Sequence, residues 1–93
     1  MTAGNHTAVP AFPRHVRLQH DTVRDRWVVL APERMFVPDE QALEILRLVD
    51  GMRTVAVIAA DLARRYDAPA EEIEDDVAAM LQDLAAKGAV TLS

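Results

Sequence analysis

Cysteine is absent from the sequence. No disulfide framework, thiolate nucleophile or zinc–cysteine site is therefore available to it. A cytoplasmic setting fits a chain that uses no disulfides. Serine occurs once, at the terminal Ser93, which removes any Ser-His-Asp catalytic set. Long apolar runs are missing too. The longest, Val55 to Ala60, is far below the ~18 residues of a spanning helix. The opening MTAGNHTAV has no basic region and no apolar stretch, so it is not expected to act as an export signal.

Positive charge is scarce where helices are expected. Residues 1–38 carry five arginines against Asp21, Asp25 and Glu33, a net +2, whereas residues 39–93 carry five basic and twelve acidic side chains, a net −7. An acidic helical half disfavours nucleic acid and anionic membranes as partners. What is plentiful is apolar character. At 51% hydrophobic, the 93 residues hold enough to build a core, although a chain this short buries only roughly 60–65% of its unfolded surface. One small domain is expected, with little room for a deep, walled-in active site.

Residues 1–13, with Gly4, Pro10 and Pro13 and no periodicity, read as a flexible tail, leaving 14–93 as the folded domain. Val16–His20 alternates and predicts a first strand. Asp21–Asp25 follows as a hairpin loop. Trp27–Ala31 is apolar on both faces, which predicts a central second strand. Arg34–Val37 predicts a short third strand at an edge. The period then changes from two to 3.6. Asp39 suits an N-cap, and Ala42, Ile45, Leu46 and Val49 share one helical face. Gly51 is expected in the left-handed position that closes this helix. Thr54 caps a second helix whose inner face carries Val55, Ile58, Ala59, Leu62 and Tyr66. Pro69 is expected at the first position of a third helix, which buries Ile73, Val77, Met80, Leu81 and Leu84 and ends at Lys87-Gly88. Val90–Leu92 adds a short terminal strand. Three strands followed by three helices is the order of an α+β fold, here a winged-helix-like arrangement with a three-stranded antiparallel sheet.

A winged helix invites a DNA-binding reading, but the third helix opens with Glu71, Glu72, Glu74, Asp75 and Asp76, which repel phosphates. The same carboxylates offer a metal only two oxygens at a time from one helix face. They read instead as a solvated first turn that complements the helix dipole, so no metal and no cofactor is expected. His6, His15 and His20 lack metal-motif spacing, and no nucleophile stands with a base, so the chain is not expected to be an enzyme. The remaining feature is Met35-Phe36-Val37. It lies within PERMFVPDE and is apolar on both faces of an edge strand. Such an edge is a hazard unless it is short, charged or used. A peptide added to it as a further strand would use it, with the third helix as the other wall of a groove. Met80 beside Leu81 exceeds what one narrow stripe needs, and methionine suits an adaptable binding surface.

The segments FPRHVRLQHD, WVVLAPERMFVPDEQALEILRLVDGMRTVAVIAADLARRY and DVAAMLQDLAAKGAV, in this order and spacing, resemble the PqqD family from about Phe12 to Val90. Ala31-Pro32-Glu33, Glu44-Ile45-Leu46 and Asp50-Gly51 with Arg53-Thr54 carry most of the likeness. The resemblance implies a peptide chaperone of pyrroloquinoline quinone biosynthesis. Such a protein binds the ribosomal precursor peptide PqqA and presents it to the radical SAM enzyme PqqE. It also implies that the peptide pairs with the third strand, Arg34, Met35, Phe36 and Val37, and packs on the third helix at Ile73, Val77, Met80, Leu81 and Leu84. A leader-recognition module of another peptide-modifying pathway, or a degenerate winged-helix dimerisation domain, is the alternative. A monomer or weak homodimer is expected.

Overall fold

The β-branched and aromatic residues from Trp27 to Leu30 suit a strand flanked on both sides, and the computed structural model, which describes residues 6–93, places a strand there. The elements run β1 (Pro10–Ala11), β2 (Arg17–Asp21), β3 (Arg26–Ala31), β4 (Arg34–Phe36), α1 (Glu40–Leu46), α2 (Val55–Tyr66), α3 (Ala70–Ala86) and β5 (Thr91–Leu92). β2, β3 and β4 form an antiparallel sheet with β3 in the middle. This is the expected α+β order, a sheet followed by helices.

The helix starts follow from their caps. The Asp39 carboxylate accepts from the Ala42 N–H at 2.8 Å, and the Thr54 hydroxyl accepts from the Val57 N–H at 3.1 Å. Each satisfies a donor that the first helical turn leaves unpaired. Pro69 departs from expectation. It is the N-cap of α3, with ψ 126°, and not its first helical residue. Gly51 is left-handed at φ +78°, but it does not close α1, whose C-cap is Arg47. It sits in a turn where the Asp50 carboxylate accepts from the N–H groups of Met52 and Arg53, both at 2.9 Å. Those bonds, the one from Arg53 foremost, hold the Asp50 carboxyl below its ordinary value. The C-terminus of α3 is as expected, with Lys87 as C-cap and Gly88 at φ +83°.

Residues 1–5 of the expected tail lie outside the described residues. Residues 6–13 are not a free tail in the structure. Val9 and Ser93 exchange backbone hydrogen bonds, and β1 pairs antiparallel with β5. The carbonyls of Ala8 and His6 accept from the N–H groups of Val55 and Ala56 at the start of α2. The segment has no periodicity because its partners are backbone groups from distant parts of the chain. The terminal strand accordingly joins β1 in a separate two-stranded ladder.

One apolar cluster joins these parts. Val29, Ile58, Ala59, Leu81 and Ala89 are fully buried, and Leu46, Val55 and Val77 nearly so. Tyr66, expected on the inner face of α2, is 57% exposed. It is the last residue of that helix, beyond the reach of the cluster. Among the described residues no helix is long and apolar enough to cross a membrane.

Two substitutions test this account in urea unfolding. Leu81→Ala should cost about 3 kcal/mol, since a buried leucine leaves both lost transfer energy and a cavity. Thr54→Ala should cost about 1 kcal/mol through the lost cap.

Candidate functional site

β4 is an edge strand of three residues between two prolines. The turn at Pro32-Glu33 precedes it. Pro38, two residues after its end, has no N–H to extend a ladder. Its register sets which way each side chain faces. Phe36 pairs with Val29 and Arg34 with Ala31, while Met35 pairs with Leu30. Phe36 therefore shares the core face with Val29 and packs against the cluster, half-buried. Met35 and Val37 lie on the other face and are each 52% exposed. Val37 falls just past the end of the strand, which stops one residue short of the expected boundary.

The five predicted residues of α3 separate into two groups. Val77 and Leu81 are 2% and 0% exposed and belong to the core. They support the site without reaching its surface. Ile73, Met80 and Leu84 stand at i, i+7 and i+11, one stripe of a helix with 3.6 residues per turn. All three are partly buried against the edge of the core cluster.

One contact joins β4 to α3, and a cleft joins α3 to the helix that follows β4. At one end, Arg34 reaches across from β4, and its Nη1 donates to the Lys87 carbonyl at 3.0 Å. A helix C-terminus presents unpaired carbonyls with partial negative charge, which suits a guanidinium. At the other end, the chain leaves β4 and enters α1 at Glu40, where Glu40 and Ile45 line the same cleft as Ile73 and Val77. The first residue of the strand thus bonds to the end of α3, and the helix that follows the strand meets the first half of α3. Phe36, Met80 and Leu84 each pack, partly buried, against the same core cluster, and among the described residues the outer backbone edge of β4 has no neighbouring strand.

The cleft at the α1 end has no counterpart in the sequence reading. It encloses about 370 Å³ between α1, α2 and α3. The Tyr66 hydroxyl donates to Glu44 Oε2 at 3.0 Å on its wall, and Arg65 stands 3.4 Å from the other oxygen of Glu44. These contacts join residues more than twenty positions apart. No local pattern announces them.

The arrangement suits binding. A free strand edge offers main-chain hydrogen bonds, and an apolar stripe beside it takes alternate side chains. Acid–base machinery is not assembled around it: His20 Nε2 lies 3.1 Å from Asp25 on the exposed β2–β3 turn, away from the groove. Among the described residues no three metal-ligating side chains converge.

Known proteins resemble this chain in sequence and fold. The sequence profile of the family described as coenzyme PQQ synthesis protein D (PqqD) matches residues 26–90. A protein of Rhodopseudomonas palustris strain TIE-1 named PqqA binding protein is 59% identical over 85 residues, which span 91% of this chain and 83% of that one. A bifunctional coenzyme PQQ synthesis protein C/D of Methylorubrum extorquens is 49% identical over 86 residues, spanning 92% of this chain and 23% of that one. Among solved structures, the solution structure of the PqqD truncation of Methylobacterium extorquens PqqCD, described as a stand-alone recognition element for ribosomally synthesised and post-translationally modified peptides, superposes with a TM-score of 0.75. It is 48% identical, with 89% of this chain and 88% of that one covered. The crystal structure of PqqD from Xanthomonas campestris gives a TM-score of 0.56 at 47% identity, covering 83% and 86%.

The wall of the cleft has its own reporter, because Tyr66 is the only tyrosine. Its hydrogen bond to Glu44, then partial desolvation and the Glu44 charge, raise its pKa above the ordinary 10.0. A carboxylate acceptor stabilises the protonated phenol and repels the phenolate, so the shift is upward. Ultraviolet titration at the phenolate band should show a midpoint above 10.0 that falls toward that value in Glu44→Gln.

Proposed function

This chain belongs to the PqqD family, and from that membership and the open β4 edge we propose that it is a non-catalytic recognition module for the precursor peptide PqqA. The free edge of β4, with Met35 and Val37 exposed beside it, is the observation that carries the reading. The peptide adds to β4 as a fourth strand. Residues pointing inward rest on Ile73, Met80 and Leu84, and residues pointing outward lie along Met35 and Val37. Arg34 closes one end of the groove through its bond to the α3 C-terminus. Phe36, Val77 and Leu81 act beneath the peptide by holding the two walls in place.

The second partner is the radical SAM enzyme PqqE, to which the bound peptide is presented. Extended binding serves that task because a strand held by its backbone keeps the rest of the peptide free for the enzyme. Three residues of edge between two prolines give little purchase for self-pairing, so we assign a monomer or weak homodimer.

Calorimetry with the PqqA peptide tests the reading, with Met35→Asp and Val37→Asp as variants. A charge placed on an apolar contact should weaken binding at least tenfold, corresponding to roughly 1.4 kcal/mol, while leaving the unfolding transition in place. Phe36→Asp, on the core face, should lower stability as well. No heat and no amide shifts along Arg34–Val37 at high micromolar peptide would overturn the proposal. Peptide-loaded protein should co-elute with PqqE in gel filtration.

A further inference from the structure

The two ends of the groove differ in charge. At the Arg34 end, the Lys87 ammonium is taken up by Asp83 at 2.9 Å and the guanidinium by the Lys87 carbonyl. Past the other end of β4, the chain enters α1 at Glu40, which lines the 370 Å³ cleft. Ile45, Leu62, Ile73 and Val77 line it with hydrocarbon, and Ile73 is also one of the residues on which the β4-paired peptide is proposed to rest. Glu40, Glu44 and Asp76 also line it, each from a helix that meets there. Glu44 is already engaged by Arg65 and by the Tyr66 hydroxyl. Glu40 and Asp76 form no ion pair among the described residues.

An apolar pocket with unneutralised carboxylates at its mouth matches one kind of side chain. Lysine and arginine bury a hydrocarbon stem while keeping the charged head in water or on a carboxylate. An acidic side chain would be repelled. A purely apolar one would fill the pocket and leave both carboxylates without a partner. We propose that this cleft is a subsite for a lysine or arginine side chain of the bound peptide, with the stem over Ile73 and the head between Glu40 and Asp76. Resting on the reading that the peptide pairs with β4, the assignment gives the groove a polarity. The cationic residue lies beyond the end of the β4-paired segment, on the side where the chain passes from Val37 into α1.

Calorimetry with the PqqA peptide, at low salt and at about 0.5 M salt where exposed charges are screened, tests the subsite through the variant E40Q/D76N. Low-salt affinity should fall about threefold to tenfold, as expected of exposed ion pairs. The difference from wild type should largely vanish at high salt. D76N alone should show part of the loss, and it leaves the start of α1 untouched should the double variant lose stability. Amide shifts on binding should extend from β4 to Ile45 and Ile73. Replacing the responsible peptide residue by norleucine should reproduce the loss in wild type and add nothing in E40Q/D76N. Acetylating the peptide amino terminus should change nothing. Unchanged affinity and salt dependence in the variant, or a loss confined to acetylated peptide, overturns the subsite while leaving β4 pairing intact. Absence of any binding by wild type would instead remove the reading on which it rests.

Discussion

Burial of a single apolar cluster governs the rest of the molecule. Val29 from the sheet, Ile58 from α2 and Leu81 from α3 have no exposed surface, so sheet and helices are fixed against the same centre. A chain of 93 residues has little apolar area to spare. Its helices therefore cannot cover both faces of every strand. β4 receives only the cover that Phe36 needs, and Met35 and Val37 are left outside. The candidate groove is a consequence of where this small core stops.

The same economy explains why α3 carries more apolar residues than the core uses. Val77 and Leu81 are consumed by the cluster. Ile73, Met80 and Leu84 lie at its margin and are only partly covered. An edge strand beside such a margin is an invitation to unwanted pairing. Here the edge is three residues long, and Pro38 ends it. Arg34 is turned toward the end of α3 by its bond to Lys87. These features leave the edge open while limiting the length over which anything can pair with it.

Much of this was legible in the chain. Binary patterning placed β3 and the three helices, because a central strand and an amphipathic helix differ in period. Asp39, Thr54 and Gly88 marked helix ends through local chemistry that tertiary contacts did not override. The readings that failed depended on distance. Pro10 and Ala11 carry no strand pattern, since their ladder partner is at the opposite end of the sequence. Tyr66 was placed inward by its spacing, yet it turns to Glu44 on another helix. Gly51 signalled a left-handed turn correctly, but the turn belongs to Asp50 and not to the end of α1.

By itself the sequence determined the element order, the absence of thiol and serine chemistry, the acidic character of the helical half and a greasy edge strand beside a greasy helix. Each of these is a matter of residue type and local period. Only the tertiary structure decided which of the apolar residues remain available. Val77 and Met80 are both apolar and three positions apart, yet one is buried in the core and the other is only partly covered at its margin. Burial is a property of where helices cross. The cleft rimmed by Glu40 and Asp76 arises in the same way, because its walls come from three helices that only packing brings together.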